Sequence, residues 1–329
     1  MEKRIFGIDN GNGNMKTANT IFPCGFTKQK TEPSKLFSED VLYYNNNYYT
    51  LSSSRFAYET DKTQNENCFI LTLFAIAKEV KALIISEGKS WENYKGFVGK
   101  DIVLALGLPP AHFEKQISQF KKYFETRFEH GINYKYDGKT FNFYVKSIKV
   151  YPQCYASVMV TNRDIIDKYK LVYAIDIGDG TVELLELKNG IPQKESMVSR
   201  EIGISKLRNK IIDDVINDFA YTLDEEIIDS VLNGDENNIL DIEIEDRIKE
   251  EAEDWTNNIV NQLHKKIADF RNAPTIFMGG GAVILKDSLK NNKAFKMTIF
   301  NDNISSNAVG YETIAMLEMQ EQSQKREVT

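Results

Sequence analysis

Two segments of this 329-residue chain repeat one pattern about half a chain apart. The first is Ile5-Phe6-Gly7-Ile8-Asp9-Asn10-Gly11-Asn12-Gly13-Asn14. The second is Val172-Tyr173-Ala174-Ile175-Asp176-Ile177-Gly178-Asp179-Gly180-Thr181. Each is an apolar strand running into Ile-Asp-x-Gly-x-Gly, then a polar residue and a second strand, and the copies start 167 residues apart. One glycine-rich hairpin says little. Two in equivalent places point to a duplicated α/β domain with a cleft between its halves. A length prior of ~150 residues per domain also gives two domains.

The residue types suggest a chemistry. Glycine admits positive φ and close backbone approach, so successive N–H groups can converge on phosphate oxygens. Aspartate repels phosphate, yet it can hold Mg²⁺ through water because the ion keeps much of its hydration shell. Two facing hairpins would clamp a polyphosphate and its metal from both sides. Lys16, just beyond the first turn, would add a point charge. The competing reading is two unrelated turns stabilised by Asp and Asn side chains. A third element, Met278-Gly279-Gly280-Gly281-Ala282, follows a strand and opens a helix, where bare backbone suits packing against a base or sugar. Neither G-x-x-x-x-G-K-[ST] nor G-x-G-x-x-G is present, which disfavours those nucleotide folds.

Strands alternate with helices, the α/β pattern. Strands are expected at Arg4–Ile8, Met15–Thr20, Asp101–Leu106, Phe141–Val150, Leu171–Ile177, Thr181–Leu187 and Thr275–Met278. Helices are expected at Phe69–Ser86, after Pro109-Pro110, at Ser205–Phe219, at Asp246–Arg271 as the longest, and at Asn307–Met319. The aromatic stripe Phe113, Phe120, Phe124 and Phe128 reads as core rather than a base-stacking platform. The polar tail Gln320–Thr329 is expected to be disordered. Cys24, Cys68 and Cys154 are odd in number and widely spaced, which speaks for a reducing cytoplasm over a disulfide or zinc framework. No secretory h-region or membrane-length apolar run is evident. Net charge is −7, against broad binding to nucleic acid. Asp224–Asp254 holds 14 acidic and 2 basic residues, read first as a solvated face and second as a surface that meets a basic neighbour.

These motifs resemble the actin-like ATPases, within the actin, heat-shock chaperone and sugar-kinase superfamily. Asp9-Asn10-Gly11-Asn12-Gly13-Asn14-Met15-Lys16 resembles the first phosphate loop, D-N-G-x-G-x-x-K. Asp176-Ile177-Gly178-Asp179-Gly180-Thr181 resembles the second, D-x-G-G-x-T, with Asp179 in place of a glycine. Met278–Ala282 resembles the adenosine motif. Asn307-Ala308-Val309-Gly310-Tyr311, Gly107-Leu108-Pro109 and Tyr151-Pro152-Gln153 match the ParM/Alp branch of plasmid- or phage-borne actins.

The resemblance implies a duplicated actin-like, ribonuclease H-like fold of two domains around a nucleotide cleft. Domain I would be 1–160, with a smaller lobe at about 31–96, completed by helix 306–329. Domain II would be 161–305, with a smaller lobe at about 200–272. It implies ATP (or GTP) with Mg²⁺ as cofactors. Gln153 would orient the attacking water, and Asp9 and Asp176 would hold Mg²⁺ through water. Asn10, Gly11, Asn12, Gly13, Asn14, Lys16, Gly178, Asp179, Gly180 and Thr181 would meet phosphates. Gly279, Gly280, Gly281, Ala282, Lys206 and Lys210 would meet adenosine, and Glu183 stands where relatives often place Asp. The implied function is a cytoplasmic, filament-forming ATPase that separates plasmid or phage DNA. Its partners would be copies of itself and a DNA-binding adaptor of the ParR type, without direct contact to nucleic acid or membrane. The alternative is a small-molecule kinase on the same fold, which needs an acidic base near an acceptor hydroxyl. A chaperone-like or scaffold ATPase is a weaker third reading.

Overall fold

The computed structural model describes residues 3–34, 40–235, 239–267 and 269–327. The chain divides into two compact units, one of residues 1–108, 112–160 and 307–329, the other of 109–111 and 161–306.

The first unit is built on strands β1 (Ile5–Asn10), β2 (Asn14–Lys16), β3 (Ile21–Pro23), β4 (Phe26–Gln29), β5 (Val41–Tyr44), β6 (Asn47–Leu51), β7 (Phe97–Leu108), β8 (Ile132–Tyr136) and β9 (Lys139–Pro152). Helices α1 (Asn67–Ser86), α2 (Phe113–Phe128) and α3 (Tyr155–Thr161) accompany them. The strands form a nine-stranded sheet in the order β3-β2-β1-β7-β9-β8-β5-β6-β4. β1 is antiparallel to β2 and parallel to β7, and β7 is parallel to β9. Central parallel strands are covered on both faces, so β1 and the second half of β7 read as near-continuous apolar runs. Phe6, Ile8, Leu104, Phe74 and Phe141 are fully buried in one core beneath α1 and α2.

The second unit holds β10 (Leu171–Ile177), β11 (Val182–Lys188), β12 (Ile191–Pro192), β13 (Val198–Arg200), β14 (Thr275–Met278) and β15 (Thr298–Phe300). Its helices are α4 (Arg163–Lys168), α5 (Ile204–Phe219), α6 (Glu225–Leu232), α7 (Ile242–His264), α8 (Gly280–Ile284) and α9 (Lys286–Asn291). The sheet order is β12-β11-β10-β14-β15, with β13 also on β11. β10 is antiparallel to β11 and parallel to β14, the pairing that β1 makes with β2 and β7. The sequence repeat is thus a structural repeat. α5 buries Ile204, Leu207, Ile211 and Val215, each contributing about 2 kcal/mol of apolar burial. The chain ends on α10 (Ser306–Glu327), which belongs to the first unit.

Three expectations need correction. The tail is helical to Glu327, because Gln320–Glu327 consists of good helix formers continuing a helix already anchored by buried Ala308, Tyr311 and Ala315. The long helix starts earlier, after Asp241, and stops at His264; Phe270–Asn272 is a separate 3₁₀ turn. Ile267 and Phe270 still reach the core, which is why the apolar pattern ran past the helix end. The second strand is short, Asn14–Lys16, because the chain turns at Thr17–Thr20 and returns as β3. Parts of the expected smaller lobe (35–39), acidic run (236–238), long helix (268) and tail (328–329) lie outside the described residues.

Among the described residues no helix is long and apolar enough to cross a membrane. Cys24, Cys68 and Cys154 are buried and none of them is in a disulfide. Burial pushes the Cys24 thiol up to about 12 and the Cys68 thiol to about 11, so both stay protonated.

Candidate functional site: two glycine hairpins and their supports

In the first unit β1 ends in the buried pair Asp9 and Asn10, and the loop to β2 follows. Its carbonyls are tied back. The Lys62 ammonium donates to the carbonyl oxygens of Asn10 and, at 3.0 Å, Gly11. The Cys24 thiol donates to the Gly11 oxygen at 3.2 Å, and the Cys24 N–H to the Gly13 oxygen at 3.0 Å. The peptides are trans, so each N–H points opposite to the carbonyl of the same peptide plane. The N–H groups of Gly11, Asn12 and Asn14 therefore face away from Lys62 and Cys24. Backbone N–H groups turned to one side make an anion-binding concavity.

Asp9 has two polar neighbours. Gln153 Nε2 donates to Asp9 Oδ1 at 2.9 Å, and Lys16 Nζ lies 4.0 Å from Asp9 Oδ2. Gln153 sits in the turn after β9, where its N–H donates to the Leu108 oxygen. The next residue, Cys154, has φ of 59°, a strained value for a residue with a side chain. Asn307 holds this turn by accepting the Cys154 N–H on Oδ1 at 3.0 Å. One turn along α10, Tyr311 stacks on Tyr151 with ring centroids 6.2 Å apart. It also lies so close to Gly107 that a Cβ there would sit 2.0 Å from the tyrosine oxygen. The G-L-P, P-Q and N-A-x-G-Y segments are thus one assembly that carries Gln153 to Asp9.

The second unit solves the same problem differently. The oxygens of Gly178, Asp179 and Gly180 accept from the N–H groups of Ile204 (3.0 Å), Ser205 (3.0 Å) and Gly203 (3.2 Å), at the start of α5. Ser205 Oγ adds a bond to the Asp179 oxygen at 2.7 Å. The N–H groups of Asp179, Gly180 and Thr181 consequently face away from α5. Gly203 is required here, since a Cβ would lie 2.2 Å from the Asp179 oxygen.

Asp176, at the end of β10, stands directly across from Glu183 on β11. Glu183 is 3% exposed and accepts from Ser199 Oγ at 2.8 Å. Burial, helped by the nearby Asp176, raises the Glu183 carboxyl to about 8 against the bonds from Ser199 and Thr181, so it is mostly protonated at neutral pH. Gly279 follows β14 with φ of 88°, and a Cβ there would meet Asp176 Oδ1 at 2.3 Å. Gly280, Gly281 and Ala282 open α8 beside it. Lys206 is exposed on α5. Lys210 is held by Asp214 and Glu251, both at 2.6 Å.

Two family models match. Residues 7–155 match the actin like proteins N terminal domain, and residues 174–291 match the C-terminal domain of the archaeal actin homologue that is MreB-like. The chain belongs to the actin-like proteins. Among solved structures, the archaeal actin homologue Ta0583 is 17% identical with a TM-score of 0.73, covering 96% of this chain and 99% of that one. Its complex with ADP matches at a TM-score of 0.69. A Bacillus thuringiensis ParM with ATP is 14% identical with a TM-score of 0.62, covering 97% of this chain and all (100%) of that one. The Alp12 filament structure matches at 14% identity and a TM-score of 0.63, over 97% and 100% of the two chains. These likenesses establish the fold. No curated protein matches the chain.

In this actin-like protein the first unit brings Asp9, Lys16, Gln153 and the Asn10–Asn14 loop together, and the second brings Asp176, the Gly178–Thr181 loop and Gly279 together. The sequence reading missed the supports: Lys62, Cys24, Gly203, Ser205, Arg208 and Ser199. Gly203, just before a helical apolar stripe, was the one with a readable signal. Among the described residues no three His, Cys, Asp or Glu side chains cluster as a metal site. Asp9 near the end of β1 and Asp176 near the end of β10 are oxygen donors of the kind Mg²⁺ takes.

Proposed function

We propose that this actin-like protein is a nucleotide-dependent, filament-forming bacterial actin homologue that hydrolyses ATP and segregates plasmid or phage DNA. The observation that carries the reading is the pair of equivalent hairpin loops whose carbonyls are tied back, leaving N–H groups aimed one way on each. That arrangement fits a polyphosphate, and Lys16 adds charge beside the first loop. ATP and ADP are named with solved structures of the same fold, and a filament with another.

Asn10–Asn14 and Gly178–Thr181 would bind nucleotide phosphates. Gly279–Ala282, with Lys206 or Lys210, would lie along the adenosine. Mg²⁺, held through water by Asp9 and Asp176, would supply charge neutralisation. Gln153 is a neutral amide already anchored on Asp9, so it can hold a water for attack without acting as a strong base. The two domains proposed are 1–160 with helix 306–329, and 161–305. Head-to-tail contacts between copies give open filaments when the rotation between them does not close a ring. A ParR-type adaptor would link filaments to DNA in the cytoplasm.

Light scattering and pelleting after addition of Mg-ATP test the reading. A filament former scatters and sediments; a small-molecule kinase stays in the supernatant and turns over only with an acceptor. GTP in a parallel series decides the base preference. Gln153→Ala is expected to slow phosphate release about a hundredfold while assembly persists, and Asp176→Ala to slow it further. Loss of nucleotide binding in Gln153→Ala would overturn the role given to Gln153, and equal turnover by wild type and Asp176→Ala would remove Asp176.

A further inference from the structure

The second loop carries a carboxylate, Asp179, among the N–H groups assigned to phosphates. A bare carboxylate there would repel a polyanion at short range. The structure shows why it is not bare. Arg208, about one turn into α5, the helix that grips this loop, is buried at 6% exposure. Its Nε and Nη2 donate to the two carboxylate oxygens of Asp229 on α6, at 2.8 and 2.7 Å. That forked pair fixes the plane of the guanidinium. The remaining edge is then aimed at the loop, and Nη1 donates to Asp179 Oδ1 at 3.1 Å. Glu225 Oε2 stands 3.8 Å from Nη1. Asp179 is therefore held by α5 three times, twice through its backbone oxygen and once through its side chain.

We propose that Arg208 is a positioning residue that neutralises Asp179 and locks the second loop onto α5, so that the loop accepts a nucleoside triphosphate in spite of its carboxylate. The inference rests on the nucleotide reading above. It also explains part of the acidic run: Asp229 and Glu225, both partly open to solvent, pair with the buried Arg208.

The test is titration of the full chain with a fluorescent ATP analogue and Mg²⁺. Arg208→Met is expected to weaken binding about tenfold or more, because one unscreened charge then faces the phosphates. Asp179→Gly in the same background is expected to restore affinity to within about threefold of wild type. A purely structural Arg208 would show no such rescue, since its bond to Asp229 stays lost in the double variant. Unchanged binding by Arg208→Met, or a loss that Asp179→Gly does not repair, overturns the proposal. Should Arg208→Met not fold, Arg208→Lys takes its place. It keeps the charge but cannot fork onto Asp229 and reach Asp179 together, so binding is expected to weaken and Asp179→Asn to repair it; absence of repair overturns the proposal again. A wild-type protein that binds no nucleotide removes both this inference and the function it rests on, whereas normal wild-type binding with flat variants removes this one alone.

Discussion

Replacing Glu183 by glutamine should remove a defined share of the pH dependence of the second unit's stability. The folded carboxyl titrates at about 8, against 4.5 for the ordinary value that the unfolded chain has. A raised folded value means that the stabilisation is complete below the unfolded value and is lost as pH rises through the folded one. Between about pH 5.5 and pH 8 the unfolded chain has released this proton and the folded chain still holds it. Each pH unit in that window costs about 1.4 kcal/mol, so about 3 kcal/mol is lost across it. Glutamine keeps a carbonyl oxygen for Ser199 Oγ and places a neutral N–H₂ where the acid carried its proton. The chain has two tryptophans, Trp91 in the first unit and Trp255 in the second. Trp255 donates from its indole to the Ile202 oxygen at 3.2 Å, on the approach to α5. Urea unfolding followed by Trp255 fluorescence in a Trp91→Phe background therefore reads the second unit by itself. The gap between Glu183→Gln and its parent should widen in favour of the variant by about 3 kcal/mol from pH 5.5 to pH 8. Parallel pH curves would refute a protonated Glu183 in the folded state.

Two further outcomes are expected. Lys62→Met releases the carbonyls of Asn10 and Gly11 and should weaken ATP binding about tenfold, with Lys62→Arg retaining most of the affinity; a fluorescent-nucleotide titration checks it. Glu79 is fully buried; burial alone would raise its carboxyl, but Lys3, Thr17 and Asn19 hold it below the ordinary range, so its stabilisation is present above about 4.5 and lost as pH falls through the folded value. Glu79→Ala should destabilise the first unit by about 3 kcal/mol at neutral pH, read by Trp91 fluorescence during urea unfolding, since Thr17 and Asn19 lose their buried acceptor while Lys3 keeps Glu312 at 2.8 Å.

The parts legible in the sequence were those that signal locally. The strand-and-glycine hairpins announced themselves because an apolar run, an aspartate and two glycines must be contiguous to make such a turn. Apolar spacing placed α1 and α5 within two residues at each end, and it placed a helix after Pro109-Pro110 where α2 lies. What stayed hidden were side chains that reach a loop from elsewhere in the chain. Lys62 lies 51 residues from Gly11 and Arg208 lies 29 from Asp179, and no spacing rule connects either pair. Periodicity also misled at Ile267 and Phe270, because a residue can stay in the core after its helix has ended. In the acidic run, composition showed charge but not its use. Glu251 is buried between Lys210 and Arg247, and Asp229 is spent on Arg208.

The two loops share a logic that their sequences do not display. A glycine-rich turn is free to rotate its peptide planes, and a rotated plane offers an anion a carbonyl in place of an N–H. Glycines alone therefore make a loop that can bind phosphate but is not set to do so. Each unit removes that freedom by engaging the carbonyl side. The first uses Lys62 and Cys24, the second the opening N–H groups of α5 with Ser205. The first solution places a full positive charge behind the loop; the second places the positive end of a 16-residue helix there. The second loop can consequently afford an aspartate, because the helix that orients its backbone also supplies the arginine that neutralises it. The first loop is held instead by side chains and one N–H from two separate segments, Lys62 from the stretch between β6 and α1 and Cys24 from the turn between β3 and β4, and Lys62 alone brings a charge. The orientation of the first loop should therefore be the more sensitive of the two to changes in those segments.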